Sequence, residues 1–529
     1  MSNSASTAAA ETSSGFRSSK YLALTAMMFS VALIFIDQTI VSIAAPTIQT
    51  ELGLTDTGVQ WIVNGYLLAM AAFFAFGGRL SDILGHKKMV IVGTIFFAVS
   101  SGMCGLTPKG ASAEAWIIGF RAIQGFGAAL LFPAALALVV AVFPIEQRGK
   151  ALAIFFGLTG AFTAVGPIAG GYLTQWTWRA IFWVNIPVAI IGLTLTFVAK
   201  IPHRKAEEKQ YMDWIGAVLV AVGMGLSVLG FQQASNWGWG NVKTIGSIAL
   251  GVIILAIFVY VETKVKHPLI KIRIFKGRAF SVDTLVLFFM SAAFVPLFFF
   301  LSLYAQVSLG YTASNAGLFL MWFFVGFVVA AQFGGRMLDN IGVKQPLIIG
   351  CVVATVGFVV WGMKSTALSS GAITPWIIVT GAGMGLILGP ASTDATNRAI
   401  NASYGEVTGV VMTLRTYGAA VGLAVLGTLM INTVTSKLVS SLTQAGVPLT
   451  QANKIASAAS SGGGAPSGHS GSNIPAAMQQ KITSIFENDF ASAIQVVLYG
   501  MAVVMAICLV ISFFHPGGKA QGSMPGGGA

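Results

Sequence analysis

Fourteen stretches of this chain, each about 20 residues or longer and nearly free of charge, leave few folds open to it. A run of that length crosses the ~30 Å hydrocarbon core of a bilayer as an α-helix. Inside the core only helices and closed barrels satisfy their own backbone groups. The windows fall at approximately 21–46, 59–79, 89–107, 114–136, 150–173, 180–200, 212–233, 243–264, 279–304, 315–338, 345–365, 375–397, 408–432 and 492–514. Barrel strands need only about 9–11 residues, so the expected fold is an all-α integral membrane protein with 14 spans. Charged residues make up 9% of the chain, against about 25% in soluble proteins, which excludes a water-soluble globule. Three cysteines cannot form a disulfide scaffold. The first window holds Asp37 and precedes no small-residue cleavage site, so it reads as a retained span, not a signal peptide.

The net charge of +13 would suggest nucleic acid in a soluble protein. Here it follows topology. With an even number of spans both termini share a side. Placing them in the cytoplasm puts 21 Lys and Arg inside, seven outside and two, Arg121 and Arg415, within spans. That bias is the positive-inside rule, so no nucleic-acid partner is expected. The linker Lys264–Arg278 carries six of the inside charges, suited to anionic headgroups of the lipid bilayer. One outside loop, 433–491, is long and holds a Gly/Ser stretch, Ser460–Ser472. Its flanks are helix-compatible, the second at roughly Ile474–Phe490, so a hairpin capping the outer mouth is one reading and disorder the other.

The stretch Gly77-Gly78-Arg79-Leu80-Ser81-Asp82-Ile83-Leu84-Gly85-His86-Lys87-Lys88 returns as Gly334-Gly335-Arg336-Met337-Leu338-Asp339-Asn340-Ile341-Gly342-Val343-Lys344-Gln345, with six of twelve positions identical at an offset of 257. Both copies end the second span of a six-span half. Repeated halves with a site between them mark a transporter. The expected organisation is a first half, 1–205, two central spans within 206–274, and a second half, 275–529, containing the long loop.

These motifs resemble the major facilitator superfamily, in particular its fourteen-span drug:proton antiporters. Gly78 to Lys88 is similar to the family's loop motif between spans 2 and 3. Arg121-Ala122-Ile123-Gln124-Gly125-Phe126-Gly127 resembles its span-4 arginine motif. Gly157, Gly160, Gly166, Pro167, Gly170 and Gly171 resemble the span-5 antiporter motif. Asp37-Gln38-Thr39-Ile40-Val41 through Pro46, and Trp178-Arg179-Ala180-Ile181-Phe182-Trp183-Val184-Asn185-Ile186-Pro187, are similar to first- and sixth-span segments of the same branch. The second half matches mainly through its degenerate loop copy and Arg415-Thr416-Tyr417-Gly418. The resemblance implies export of a small amphiphilic molecule driven by proton entry, with no cofactor beyond the proton motive force and no metal. A monomer in the cytoplasmic membrane of a bacterium, with both termini inside, is the expected setting.

The residues themselves point the same way. A carboxylate in mid-span costs about 2.5–3.5 kcal/mol on insertion scales and is a functional candidate by default. Asp37 is such a group, suited either to proton coupling or to a structural hydrogen bond. Arg121, always charged, needs a wet cavity or a partner such as Asp37, backbone carbonyls or Gln124. The resemblance implies a proton-relay role for it. Asp82 with Arg79, and Asp339 with Arg336, sit where a carboxylate can hold a helix N-terminus and so gate one access state. Asp213 and Asp283 read as helix caps, and Asp394 as the partner of Arg398 one turn on. Candidates to line a cavity between the halves are Gln38, Trp61, Asn64, Gln124, Phe298, Tyr304, Gln306, Trp322, Phe323 and Arg415. With one carboxylate in that cavity, neutral or singly positive lipophilic substrates fit better than dications. All five histidines lie in loops or at span ends, which disfavours a membrane-embedded enzyme.

Overall fold

The computed structural model describes residues 3–54, 56–199, 211–399, 404–462 and 476–518. They form α1 (Asn3–Leu52), α2 (Asp56–Leu84), α3 (His86–Gly105), α4 (Ala113–Val142), α5 (Ile145–Trp176), α6 (Ala180–Trp183), α7 (Asn185–Val198), α8 (Trp214–Trp237) and α9 (Val242–Glu262). After a 3₁₀ turn at Ile272–Lys276 come α10 (Arg278–Val307), α11 (Ala313–Ile341), α12 (Lys344–Ser365), α13 (Ser370–Arg398), α14 (Tyr404–Gln444), α15 (Leu449–Gly462) and α16 (Ala476–Phe513). Among the described residues, thirteen helical segments are long and apolar enough to cross a membrane. The remaining window, 150–173, falls inside the 32-residue helix α5, part of whose side chains lie outside the described residues. The protein is therefore a multi-pass membrane protein.

Sequence explains much of the local form. The sixth span is split into α6 and α7 at Val184. Pro187 lacks an N–H and its ring meets the carbonyl four residues back, at Trp183, which breaks the ladder there. Asp213 caps α8 as expected, accepting from the Gly216 N–H at 2.9 Å. Gly77 is needed for close approach, since a Cβ there would stand 2.1 Å from the Ala129 carbonyl oxygen, and α2 lies directly on α4.

Helices α2, α3 and α4 pack together in the first half, and α11, α12 and α13 in the second. The halves meet through α5 against α11 and α2 against α14. Helices α8 and α9 pair with each other, and α8 leans on α2 and α14. Most of α9 stays exposed, presenting Val242, Ile245, Leu250, Ile253 and Ile257; an apolar surface of this kind meets lipid.

The stretch 433–491 is helical on both flanks, but the helices are continuations of spans. α14 runs 41 residues and α16 runs 38, while α15 folds back on α14. Residues 463–475, with most of the Gly/Ser stretch, lie outside the described residues.

Candidate functional site

Two charges that the apolar spans isolate in sequence meet in space. Asp37 on α1 is completely buried and Arg121 on α4 is 1% exposed. The guanidinium Nη1 of Arg121 donates to Asp37 Oδ2. Burial of such a pair holds only if the remaining donors and lone pairs are met, and here both carboxylate oxygens of Asp37 and the Nε and Nη1 of Arg121 have partners. Asp37 Oδ1 accepts from Gln124 Nε2 at 2.9 Å and from Asn185 Nδ2 at 3.2 Å. Arg121 Nε donates to the Ile62 carbonyl at 2.8 Å and Nη1 to Gln124 Oε1 at 2.7 Å. The guanidinium carbon lies 4.4 Å from the centre of the Tyr66 ring, a favourable cation–π geometry. Asn185 also donates to Ser101 Oγ at 2.9 Å, joining α3 and α7 to the network.

Sequence reasoning singled out Asp37, Arg121 and Gln124 but gave no role to Asn185, Ser101 or Tyr66. An amide just before Pro187 in an otherwise apolar span was the available signal. Gln124, expected as a cavity residue, spends its amide on the ion pair and is fully buried.

Beside the pair, α5 presses on α1. A Cβ on Gly166 would fall 1.9 Å from Thr39 Oγ1 and 2.8 Å from the Ile36 carbonyl oxygen, and one on Gly170 3.0 Å from Ile40 Cγ1. The small residues here permit helix contact one turn from Asp37. Gly171 lies on the same helix; the side chain of Pro167 is outside the described residues.

At the end of the bundle that carries the basic loops, the halves are tied together. Asp82 Oδ2 accepts from the Glu406 N–H, in the first turn of α14, at 2.8 Å. Arg148 Nη1 donates to Asn397 Oδ1 at 3.1 Å, and Thr408 Oγ1 to the Pro133 carbonyl at 3.3 Å. Arg79 is 7% exposed and donates to the Tyr211 carbonyl at 3.3 Å. The repeated copy differs: Arg336 is exposed, its guanidinium 5.9 Å from the Phe333 ring centre, and Asp339 is half-buried.

The expected cavity residues scatter. Gln38, Asn64 and Trp61 are half-buried, and Trp61 lines an apolar groove of about 360 Å³ between α2, α4 and α8, not a space between the halves. Phe298 and Phe323 are buried in an aromatic cluster with Phe294, Phe324 and Phe327, their own ring centres 5.3 Å apart. Tyr304 is fully buried and donates to the Ser365 carbonyl at 2.7 Å, which makes it a packing residue. Gln306 turns back to Ser302. Trp322 shares an exposed apolar stripe with Leu318, Val325, Val329 and Phe333, facing lipid rather than cargo. Arg415 is half-buried, with Nε 3.5 Å from Ser291 Oγ and Nη1 3.5 Å from Met412 Sδ.

Two further acids behave differently from each other. Asp394 pairs with Arg398 at 2.5 Å, as expected. Asp283 is no cap: it lies five residues into α10, fully buried, with Asp394 and His515 around it. Hydropathy marked the start of the span but could not see that α13 and the residues after α16 close over it.

The family model described as Major Facilitator Superfamily matches residues 27–423, about three quarters of the chain and every element of the acid–guanidinium network. The chain belongs to the major facilitator superfamily. It is 31% identical over 511 residues to the "Tetracenomycin C resistance and export protein" of Streptomyces glaucescens, covering 95% of this chain and 92% of that one. It is 27% identical over 492 residues to the "Multidrug resistance protein Stp" of Mycobacterium tuberculosis, covering 92% and 90%. The xylose transporter XylE from E. coli, in a partially occluded inward-open conformation, superposes with a TM-score of 0.55 at 12% identity, over 96% of this chain and 100% of that one. That last likeness is one of fold alone. Members of this superfamily are membrane transporters.

Proposed function

We propose that this protein is a proton-coupled efflux antiporter that exports small lipophilic compounds, neutral or singly positive, by alternating access. The observation that carries the reading is the buried Asp37–Arg121 pair, held by Gln124 and Asn185 in the middle of the first half. A proton arriving on Asp37 removes the ion pair and frees a guanidinium that cannot itself lose its proton. Arg121 must then find new partners, and that rearrangement is what a change of access can be built on. The ties at the basic end, Asp82 to α14 and Arg148 to Asn397, fit a state closed toward the cytoplasm, ready to take a proton from outside. Export as the direction is supported by the named activities of the relatives and by the span-5 glycines packed on α1.

The energetics suit this cargo. One inward proton supplies about 1.4 kcal/mol per pH unit and about 2.3 kcal/mol per 100 mV. Together these sustain roughly a 500-fold gradient of a neutral compound, at 1.4 kcal/mol per factor of ten. In one-for-one exchange with a monocation the voltage cancels and about tenfold remains. A narrow exporter of one endogenous compound is the second reading, favoured by the relative named for tetracenomycin C alone.

The test is efflux of a fluorescent lipophilic cation from energised cells expressing the wild type or Asp37→Asn, with a protonophore added midway. Wild-type efflux should collapse on its addition, and Asp37→Asn should never extrude. Equal efflux by an equally expressed Asp37→Asn would remove the coupling role, while wild-type failure on a panel of lipophilic dyes would turn the reading to the narrow exporter.

A further inference from the structure

At the basic end of the first half, the turn from α4 into α5 folds over the start of the first span. Between them lies a cavity of about 350 Å³ that the transport reading does not use. Lys20, Gln147 and Lys150 form its polar side, and Tyr21, Phe143 and Ile154 its apolar side. Small-ligand sites occupy about 300–1,000 Å³, so the space is large enough for a headgroup.

Lys20 is the unusual member. It stands at the first residue of a span yet is only 7% exposed. An ammonium carries three donors. One goes to Gln147 Oε1 at 2.8 Å, and Nζ lies 5.6 Å and 5.7 Å from the ring centres of Tyr21 and Phe143. Among the described residues no carboxylate lies within ion-pair reach of Lys20 or of the exposed Lys150. Arg121, also buried, has Asp37, whereas Lys20 has a neutral amide and two ring faces. Arg148 turns away from the cavity, to the Phe143 carbonyl and to Asn397. A charge held out of water is costly unless an opposite charge meets it, so a cavity with two cations and no acid suits an anion.

The apolar side selects the kind of anion. Phe143 is buried, and its ring meets that of the half-open Tyr21 edge to face at 5.7 Å. Ile154 carries the surface one turn further along α5 from Lys150. Tyrosine at the start of a span marks headgroup depth. A small inorganic anion would leave this wall bare, and an anion with acyl chains covers it. Basic pockets between spans on the cytoplasmic side suit anionic headgroups for the same reason. We infer that the cavity between the start of α1 and the α4–α5 turn binds the phosphate headgroup of an anionic lipid. Lys20 and Lys150 supply the charge, Gln147 holds Lys20 in place, and an acyl chain leaves past Phe143 and Ile154. The bound lipid ties α1 to α5, the two helices that press together beside Asp37. The site is separate from Asp37 and stands whichever way cargo moves.

The experiment is native mass spectrometry of the full chain in nonionic micelles, titrated with phosphatidylglycerol, with phosphatidylcholine and with inorganic phosphate. The wild type should hold one phosphatidylglycerol clearly more tightly than any phosphatidylcholine. Lys20→Gln and Lys150→Gln should each weaken that adduct by about fivefold or more. Lys150 is exposed, so its loss tests the site without disturbing the packing around Lys20. Lys266→Gln, an exposed position in the basic linker, should leave the tightest adduct unchanged. Equal affinity in the wild type and Lys150→Gln would overturn the proposal, as would phosphatidylcholine bound as tightly as phosphatidylglycerol. An equal loss in Lys266→Gln would overturn it in favour of general surface attraction. Displacement of the lipid by equimolar phosphate would overturn it in favour of a free anion.

Discussion

Replacing Asp82 by Asn keeps the size of the side chain and one acceptor oxygen, and removes only the charge that holds the end of α14. The carboxylate is 3% exposed, so solvent screens it little. Its hydrogen bond from the Glu406 N–H is 2.8 Å long. A hydrogen bond to a charged group contributes about 1.5–3 kcal/mol against about 0.5–1.5 for a neutral one, so the charge itself contributes about 1–1.5 kcal/mol. The helix N-terminus adds about 0.3–1 kcal/mol for an anion in its first turn. The combined loss, about 1.3–2.5 kcal/mol, shifts the closed-to-open ratio at the basic end by about 8- to 60-fold, at 1.4 kcal/mol per decade. Spin labels at Leu84→Cys and Ile341→Cys, two exposed positions at the ends of α2 and α11, report that ratio by pulsed electron paramagnetic resonance in nanodiscs. The long-distance population should become dominant in Asp82→Asn and stay minor in Asp339→Asn, whose acid is half-buried. Identical distance distributions in wild type and Asp82→Asn would refute the latch and the electrostatic reasoning behind it.

Two further substitutions probe the network around Asp37. Arg121→Lys keeps the charge but not the fork that reaches Asp37, Gln124 and Ile62 together; efflux should fall at least ~10-fold with folded protein undiminished. Rates within twofold of wild type would mean that charge alone matters. Gly166→Ala puts a methyl 1.9 Å from Thr39 Oγ1, an overpacking cost of about 1–3 kcal/mol. Its melting temperature in nanodiscs should fall clearly below that of wild type and of Gly170→Ala, where the nearest atom is a side-chain carbon at 3.0 Å. Equal melting of all three would disprove the tight contact of α1 with α5.

How much of this was legible beforehand depends on whether the cause was local. Hydropathy is a property of each segment, and lipid obliges each apolar window to close its own backbone hydrogen bonds. The spans and the membrane class could therefore be read without knowing any neighbour. Asp37 and Arg121 were visible for the same reason, as charges where the surroundings forbid them. Their partnership was not, because they stand 84 residues apart and only the meeting of α1 with α4 decides it. Adjacent residues show the limit best: Trp322 faces lipid and Phe323 the core, a difference of about 100° around one helix that no composition records. Asp283 looked like a cap because it lies near the start of its span. Only the packed bundle sets α13 and His515 over it and makes an expected helix cap a fully buried acid. The sequence determined which segments leave water, since that depends on each segment alone. The tertiary structure decided which side chains leave it together, since that depends on which helix faces meet.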